Sequence, residues 1–254
     1  MSRRSLLVLG LQLALLVAII GTWEILTRTG VINPFLLAPP SDIVVLIGRW
    51  FDEGSIWADI GSTLWTLAVG YTVGVLGGIV IGMLSGRISF FRHYFDVFIV
   101  FLNSLPRLVL LPFFIIIFGF GQAPGMIVTG LIVIFVVALS TRTAVEEIQG
   151  DLVQNARVLG AGPVQLLGSV YLPGVALTIL SSARLSIGLG FQAAVVAQFF
   201  GSPTGLGFLI AEGQQSYNPT QIYAAIVVTS ILAYLIDLVL ALVEKRSGRW
   251  LPRR

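Results

Sequence analysis

The sequence predicts an all-α, polytopic membrane protein with six transmembrane helices. Three observations carry this. Apolar residues are 56% of 254 and charged residues only 11%, against about 25% charged in soluble domains. Six apolar runs of spanning length follow one another along the chain. Arginine and lysine collect on alternate connecting segments, which orders those runs into a topology.

The first span is Leu6 to Leu26. Its 21 residues exceed the roughly 7–15 of a signal-peptide core, and no small-x-small cleavage site follows, so it reads as a retained helix. Thr27 to Gly61 reads as an outer loop. Asn33-Pro34 and Pro39-Pro40-Ser41-Asp42 supply turn signals and a helix cap within it. Ser62 to Leu84 is the second span. Tyr94 to Phe118 is the third, and Pro106 and Pro112 should kink or break it. Gly119 to Ala123 is a tight turn, and Pro124 to Ser140 is a short fourth span. Val175 to Phe200 is the fifth. Gly201 to Ile222 is a glycine-rich outer segment, re-entrant or hairpin-like. Tyr223 to Val243 is the sixth span, and a basic tail follows. With the amino terminus inside, the inner segments hold 11 of the 15 Arg and Lys residues and the outer loops only Arg28 and Arg49. Both termini are therefore expected in the cytosol. Residues 1–254 read as one transmembrane domain.

Between the fourth and fifth spans lies Thr141 to Gly174, a loop expected in the cytosol. Gly160 suits the left-handed position just past a helix end, and Pro163 suits the first turn of a new helix. Two short helices should therefore meet at a bend, with Leu152, Ala156 and Leu159 on one face of the first. A short amphipathic elbow between two spans is a surface for a partner to push on.

Composition excludes several chemistries. The chain has no cysteine, so disulfides, thiolate metal sites and cysteine nucleophiles are absent. His93 is the one histidine, which rules out a multi-histidine metal site within the chain. Lys245 is the one lysine and Arg246 follows it, so no Gly-x-x-x-x-Gly-Lys-Ser/Thr phosphate loop exists. The arginines are dispersed along membrane boundaries and form no groove for nucleic acid.

The spans also carry polar residues. An unpaired charge at the bilayer centre costs at least ~2.5–3.5 kcal/mol, so Arg184 and Asp237 each need a partner or water. Their depths differ by only about 5 Å at about 1.5 Å per residue, which suggests an intramembrane ion pair. Lining the transport path is the other reading, and Asp96 is an alternative partner for Arg184. Asn103, Ser104 and Arg107 surround Pro106, where they either satisfy the kink or line a pathway. Gly70, Gly74, Gly78 and Gly82 line one face of the second span. Small residues let helix backbones approach closely, within one subunit or against a second copy.

Within the elbow, Gln154-Asn155-Ala156 is followed by three spacers, Gly160, nine spacers, then Val170-Tyr171-Leu172-Pro173. This resembles the Glu-Ala-Ala signature of permease subunits of ATP-binding-cassette importers, with matching spacing throughout. Gln154 replaces the family's Glu, Asn155 its Ala and Val170 its Ile. The resemblance implies the type I importer permease fold and a coupling surface for an ATPase. That surface would use Gln154, Asn155, Ala156, Arg157, Leu159, Gly160, Ala161, Leu172 and Pro173. It also implies that the fifth span borders the pathway, so that Gln192 and Gln198 join Asn103, Ser104 and Arg107 along it. Many family members have Ala-Glu where this chain has Ala197-Gln198, and a neutral amide repels an anion less. Gly201-Ser202-Pro203-Thr204-Gly205-Leu206-Gly207 resembles the family's outer Gly-Leu-Gly loop, a plain turn or a contact for a docked binding protein.

The chain looks like the branch serving aliphatic sulfonates, taurine, nitrate or bicarbonate. By that resemblance it is a non-enzymatic subunit of the bacterial plasma (inner) membrane. It would pair with a second permease copy, two ATPase copies that bind ATP and magnesium, an external substrate-binding protein and membrane lipid. It would need no cofactor or metal of its own, and no nucleic acid. A secondary transporter or channel would explain the spans but not the elbow signature. An intramembrane enzyme would lack a nucleophile with its base.

Overall fold

The computed structural model describes residues 3–33, 35–88, 90–92, 107–148 and 150–247. His93, Asp96, Asn103, Ser104 and most of the first half of the expected third span lie outside the described residues, as does the Arg107 side chain. The described chain is helical almost throughout. Its elements are α1 (Arg3–Arg28), α2 (Pro40–Asp52), α3 (Ile56–Arg87), a 3-10 turn (Arg107–Leu110), α4 (Leu111–Phe118) and α5 (Gln122–Glu146). They continue with α6 (Gly150–Val158), α7 (Pro163–Leu166), a π-helical stretch (Leu167–Tyr171), α8 (Leu172–Gly201), α9 (Leu206–Gln215) and α10 (Pro219–Ser247). Among the described residues, 5 helices are long and apolar enough to cross a membrane, and Leu108–Phe118 adds a shorter apolar one.

The centre of the bundle is a parallel pairing of α3 with α5, onto which α8 packs antiparallel. Glycine decides the first contact. A Cβ built on Gly70, Gly74, Gly78, Gly82 or Gly86 would lie 2.6–2.8 Å from an atom of α5. The facing residues are Thr129, Val133, Val137, Thr141 and Val145, in step with the glycines. All five are β-branched and held to few rotamers in a helix. A stiff ridge therefore lies in a backbone groove, the small-residue packing that substitutes for a hydrophobic drive in lipid. The four glycines singled out in the second span are thus an intrasubunit contact, extended by Gly86. Any methyl added there overpacks the contact, a change that costs about 1–3 kcal/mol.

Parallel packing requires the chain to return between Arg87 and Gln122. At one end of the bundle, Glu146 of α5 takes Arg92 at 3.5 Å and Arg142 at 3.0 Å. This is the elbow end. At the other, α9 folds back on α8 and runs into α10 through a tight turn, where Asn218 N–H donates to the Gly213 carbonyl at 2.8 Å.

Two expectations change here. Thr27 to Gly61 is more than a loop: Pro40–Asp52 forms α2, and α3 already begins at Ile56. Ile43, Leu46, Ile47 and Trp50 of α2 share one face and pack with Trp23, Ala38, Tyr223 and Ala224. Ser41 and Asp42 do not cap the helix. They bind the end of α1 instead, Ser41 Oγ donating to Glu24 at 2.6 Å and Asp42 accepting from Arg28. The elbow is also shorter than Thr141 to Gly174. Helix α5 continues to Glu146 because Thr141 and Val145 still have glycines of α3 to pack against.

Candidate functional site

The elbow is built by local backbone chemistry. Helix α6 ends in a Schellman arrangement. Ala161 N–H donates to the Ala156 carbonyl at 3.0 Å, and Gly160 N–H to the Arg157 carbonyl at 2.9 Å. Closing those bonds requires a left-handed residue, and Gly160 has φ +88°. Gly162 then stands as the extended residue before Pro163, which opens α7 with its fixed φ. The spacing of Gly160 and Pro163 thus forms the bend expected of it.

The buried face differs from the expected one. Val153, Ala156 and Ala161 pack against a cluster of Ala144, Val145, Leu166, Tyr171 and Val175. Leu152 faces outward, and Val158, Leu159 and Val164 are 82%, 87% and 83% exposed. Only Ala156 of the predicted trio is on the packed side. Gln154, Asn155 and Arg157 are exposed beside these apolar tips. Leu172 and Pro173 lie apart from the tip, in the first turn of α8. The elbow presents an apolar crest flanked by polar side chains, held from behind by the bundle.

The expected intramembrane pair is corrected. Ion pairs among the described residues join Arg28 to Glu24 and Asp42, and Glu146 to Arg92 and Arg142. An Arg184–Asp237 bridge is not among them. The two residues instead line one cavity of about 550 Å³ with Ser181, Gly188 and Gln192. Helix α10 packs chiefly on α9 and α2 and meets α8 through Leu232, Ala233 and Ile236, the last two of which also line the cavity. Gln192 and Asp237 are exposed in that space, and Arg184 is half-buried.

Gln198 is corrected too. It lines no open surface, being 1% exposed. Its Oε1 accepts from the Thr63 hydroxyl at 2.8 Å and from the Gly207 N–H at 3.5 Å. It belongs to a lock around the start of α9, whose first amides have no partner within their own helix. Gly205 N–H donates to Asp59 Oδ1 at 2.7 Å, and Leu206 N–H to Thr63 Oγ1 at 2.9 Å. Ser62 Oγ bonds Thr204 Oγ1 at 3.0 Å and accepts from Gln122 Nε2 at 3.0 Å. Helices α3 and α8 thus cap α9 from outside, and α5 joins them through Gln122. Both glycines of the Gly-Leu-Gly loop are needed sterically. A Cβ on Gly205 would lie 2.3 Å from the Gln198 amide, and one on Gly207 2.0 Å from the Val195 carbonyl oxygen. Asp59 and Thr63 were not anticipated. Their signal was two polar residues one turn apart at the start of an apolar run.

The chain is similar to the taurine transport system permease protein TauC of Escherichia coli, 27% identical over 245 residues that cover 94% of this chain and 89% of that one. It is 25% identical over 234 residues to the nitrate import permease protein NrtB of Leptolyngbya laminosa, covering 90% and 84%. Its fold matches a chain of the MetNI methionine ABC transporter, solved in inward-facing conformations. The TM-score is 0.61 at 22% identity, over 76% of this chain and 98% of that one. The chain is a multi-pass transport subunit and not an enzyme; ATP hydrolysis lies with a separate ATPase. Residues 74–249 match the family described as the binding-protein-dependent transport system inner membrane component, and the chain belongs to that family.

Proposed function

We propose that this permease imports a small organic or inorganic anion of the sulfonate–nitrate class, driven by an ATPase that seats on the elbow. The observation that carries the coupling half is the crest of Val158, Leu159 and Val164. Three large apolar side chains, each more than four-fifths exposed, stand on a bend that its own hydrogen bonds fix. Such a patch, rimmed by Gln154, Asn155 and Arg157, fits a protein partner. The partner ATPase carries ATP and magnesium, since this chain has no phosphate loop. The Arg and Lys distribution supports a cytosolic elbow and cytosolic termini. The start of α9 then faces outward and receives the substrate-binding protein. Two permease copies and two ATPase copies complete the machine.

Arg184 and Gln192 on α8 support the anion half. They line the cavity between α8 and α10, where a cation and an amide can replace part of an anion's hydration. The types of relatives named above point the same way. Asn103, Ser104 and Arg107 are proposed for the same path.

Two measurements test the reading. An ATPase should co-purify with the tagged permease and be lost from a Leu159→Asp variant. Vesicles holding the full complex should take up sulfonate or nitrate in preference to neutral solutes of equal size. Uptake of cations or neutral solutes alone would end the anion reading and leave the coupling reading standing.

A further inference from the structure

One aromatic side chain stands at the junction of the elbow and the bundle. Tyr171 is the last residue of the π-helical stretch Leu167–Tyr171, at the junction of elbow and α8. It is 9% exposed and packs with Ala144 and Val145 of α5 and Leu166 of α7. The end of α3 reaches it from another side, the Arg87 guanidinium carbon lying 5.3 Å from the centre of its ring. Arg87 is the last residue of α3 and is half-buried. Helices α3 and α5 of the bundle and α7 of the elbow therefore converge on one phenol ring.

We infer that the Arg87–Tyr171 contact is the positioning device that passes elbow movement to the α3–α5 pair. First, α3 and α5 are tied along their length by the glycine contact, and Arg92, in the segment that follows α3, bridges to Glu146 of α5. Whatever grips the end of α3 moves both helices. Second, a π-turn is wider than an α-turn, with looser backbone bonding, and such turns collect where helices yield or function. Lying between α7 and α8, it lets the elbow tilt without bending α8 itself, so a tilt would be lost unless something else carried it. Third, a cation over an aromatic face is attractive over a range of positions within about 6 Å. Unlike a bidentate hydrogen bond, it stays engaged while the ring slides. Arg87 thus follows Tyr171 through a small displacement.

This rests on the reading that an ATPase drives the elbow, and the test separates the two. The complete complex is purified with the Arg87→Gln, Arg87→Lys, Tyr171→Leu and Tyr171→Phe permeases and reconstituted into vesicles. Solute imported per ATP hydrolysed is then measured beside the amount of bound ATPase. Arg87→Gln and Tyr171→Leu should each cut that ratio about tenfold, as loss of a partly desolvated cation–π contact would, with the ATPase still bound and still hydrolysing. Arg87→Lys and Tyr171→Phe keep a cation and a ring and should retain most of it. The double variant should be no worse than either single one, because both remove the same link. A normal ratio in Arg87→Gln overturns the inference, and that half-buried substitution gives a result even if Tyr171→Leu fails to fold. Equal loss in Tyr171→Phe and Tyr171→Leu also overturns it. Absence of any bound ATPase in the unmodified complex would instead defeat the coupling reading itself.

Discussion

Two bends in this permease depend on glycine, and they depend on it for different reasons. At the elbow, Gly160 adopts φ +88° with no atom within 4 Å of where a Cβ would sit. The need is conformational, and the bonds that close the turn come from α6 itself. At the start of α9, Gly205 and Gly207 are crowded by Gln198 and by the α8 backbone. The need there is steric at Gly207 and both steric and conformational at Gly205, whose φ is +115°, and the bonds come from side chains of α3 and α8. One bend is local and faces outward. The other is tertiary and buried. A local bend can be strained without loosening the bundle, whereas a tertiary one cannot.

The comparison predicts a graded series. The largest effect should come from Gly207→Ala. Its methyl meets backbone, which cannot rotate away, so overpacking should cost about 3 kcal/mol and lower the unfolding midpoint of the detergent-solubilised protein. A midpoint within error of the parent would show that α9 can lift off α8 freely. Next is Gln198→Leu, which strands the Gly207 amide and leaves the Thr63 hydroxyl only its bond to the Asp59 carbonyl to donate to. About 2 kcal/mol should be lost, read in the same melt, and susceptibility to proteolysis should rise near Ser202–Gly205. Smaller in stability is Gly160→Val. Left-handed backbone costs a side chain about 1–2 kcal/mol, confined to the elbow. The bundle should melt as before, while transport falls sharply and the ATPase dissociates or runs uncoupled. Gly30→Val is the control, since Gly30 also has positive φ and open surroundings but lies far from the elbow; its ATPase should stay bound and coupled. Smallest is Gly160→Asn. Asparagine tolerates the left-handed region, so transport should be nearly normal, whereas Gly207→Asn should fail against the Val195 carbonyl. Equal behaviour of the two asparagine variants would erase the distinction drawn here.

The same distinction explains what could be read from the sequence. Gly160 and Pro163 were legible because a Schellman end and a proline-led helix are written within a few residues. The span pattern was legible for the same reason. The buried face of α6 was not. Leu152, Val153, Ala156 and Val158 put apolar residues on more than one side of a nine-residue helix, and which side turns inward is set by Leu166 and Tyr171. Gln198 was misplaced because its burial comes from Gly205 and Gly207 folding back over it. The Arg184–Asp237 pair failed because helix rise gives depth but not rotation. Helix α2 was missed although Pro40 at its start and the apolar residues at 43, 46, 47 and 50 spelled it out. The turn signals around it outweighed them.

The glycine groove of α3 also sets a timetable for synthesis. Its partners on α5 are made only after the intervening chain has been translated, and α3 and α5 must lie side by side in the same direction. At about 5–20 residues per second, several seconds pass between the first half of the contact and the second. During that interval α3 waits in the bilayer with an open backbone furrow that any passing helix with a β-branched ridge could fill. Correct assembly therefore depends on keeping α3 sheltered until Thr129 to Val145 arrive. Substitutions on α5 that weaken the ridge should then be felt first as misassembly of newly made chains, before any loss of stability in those already folded.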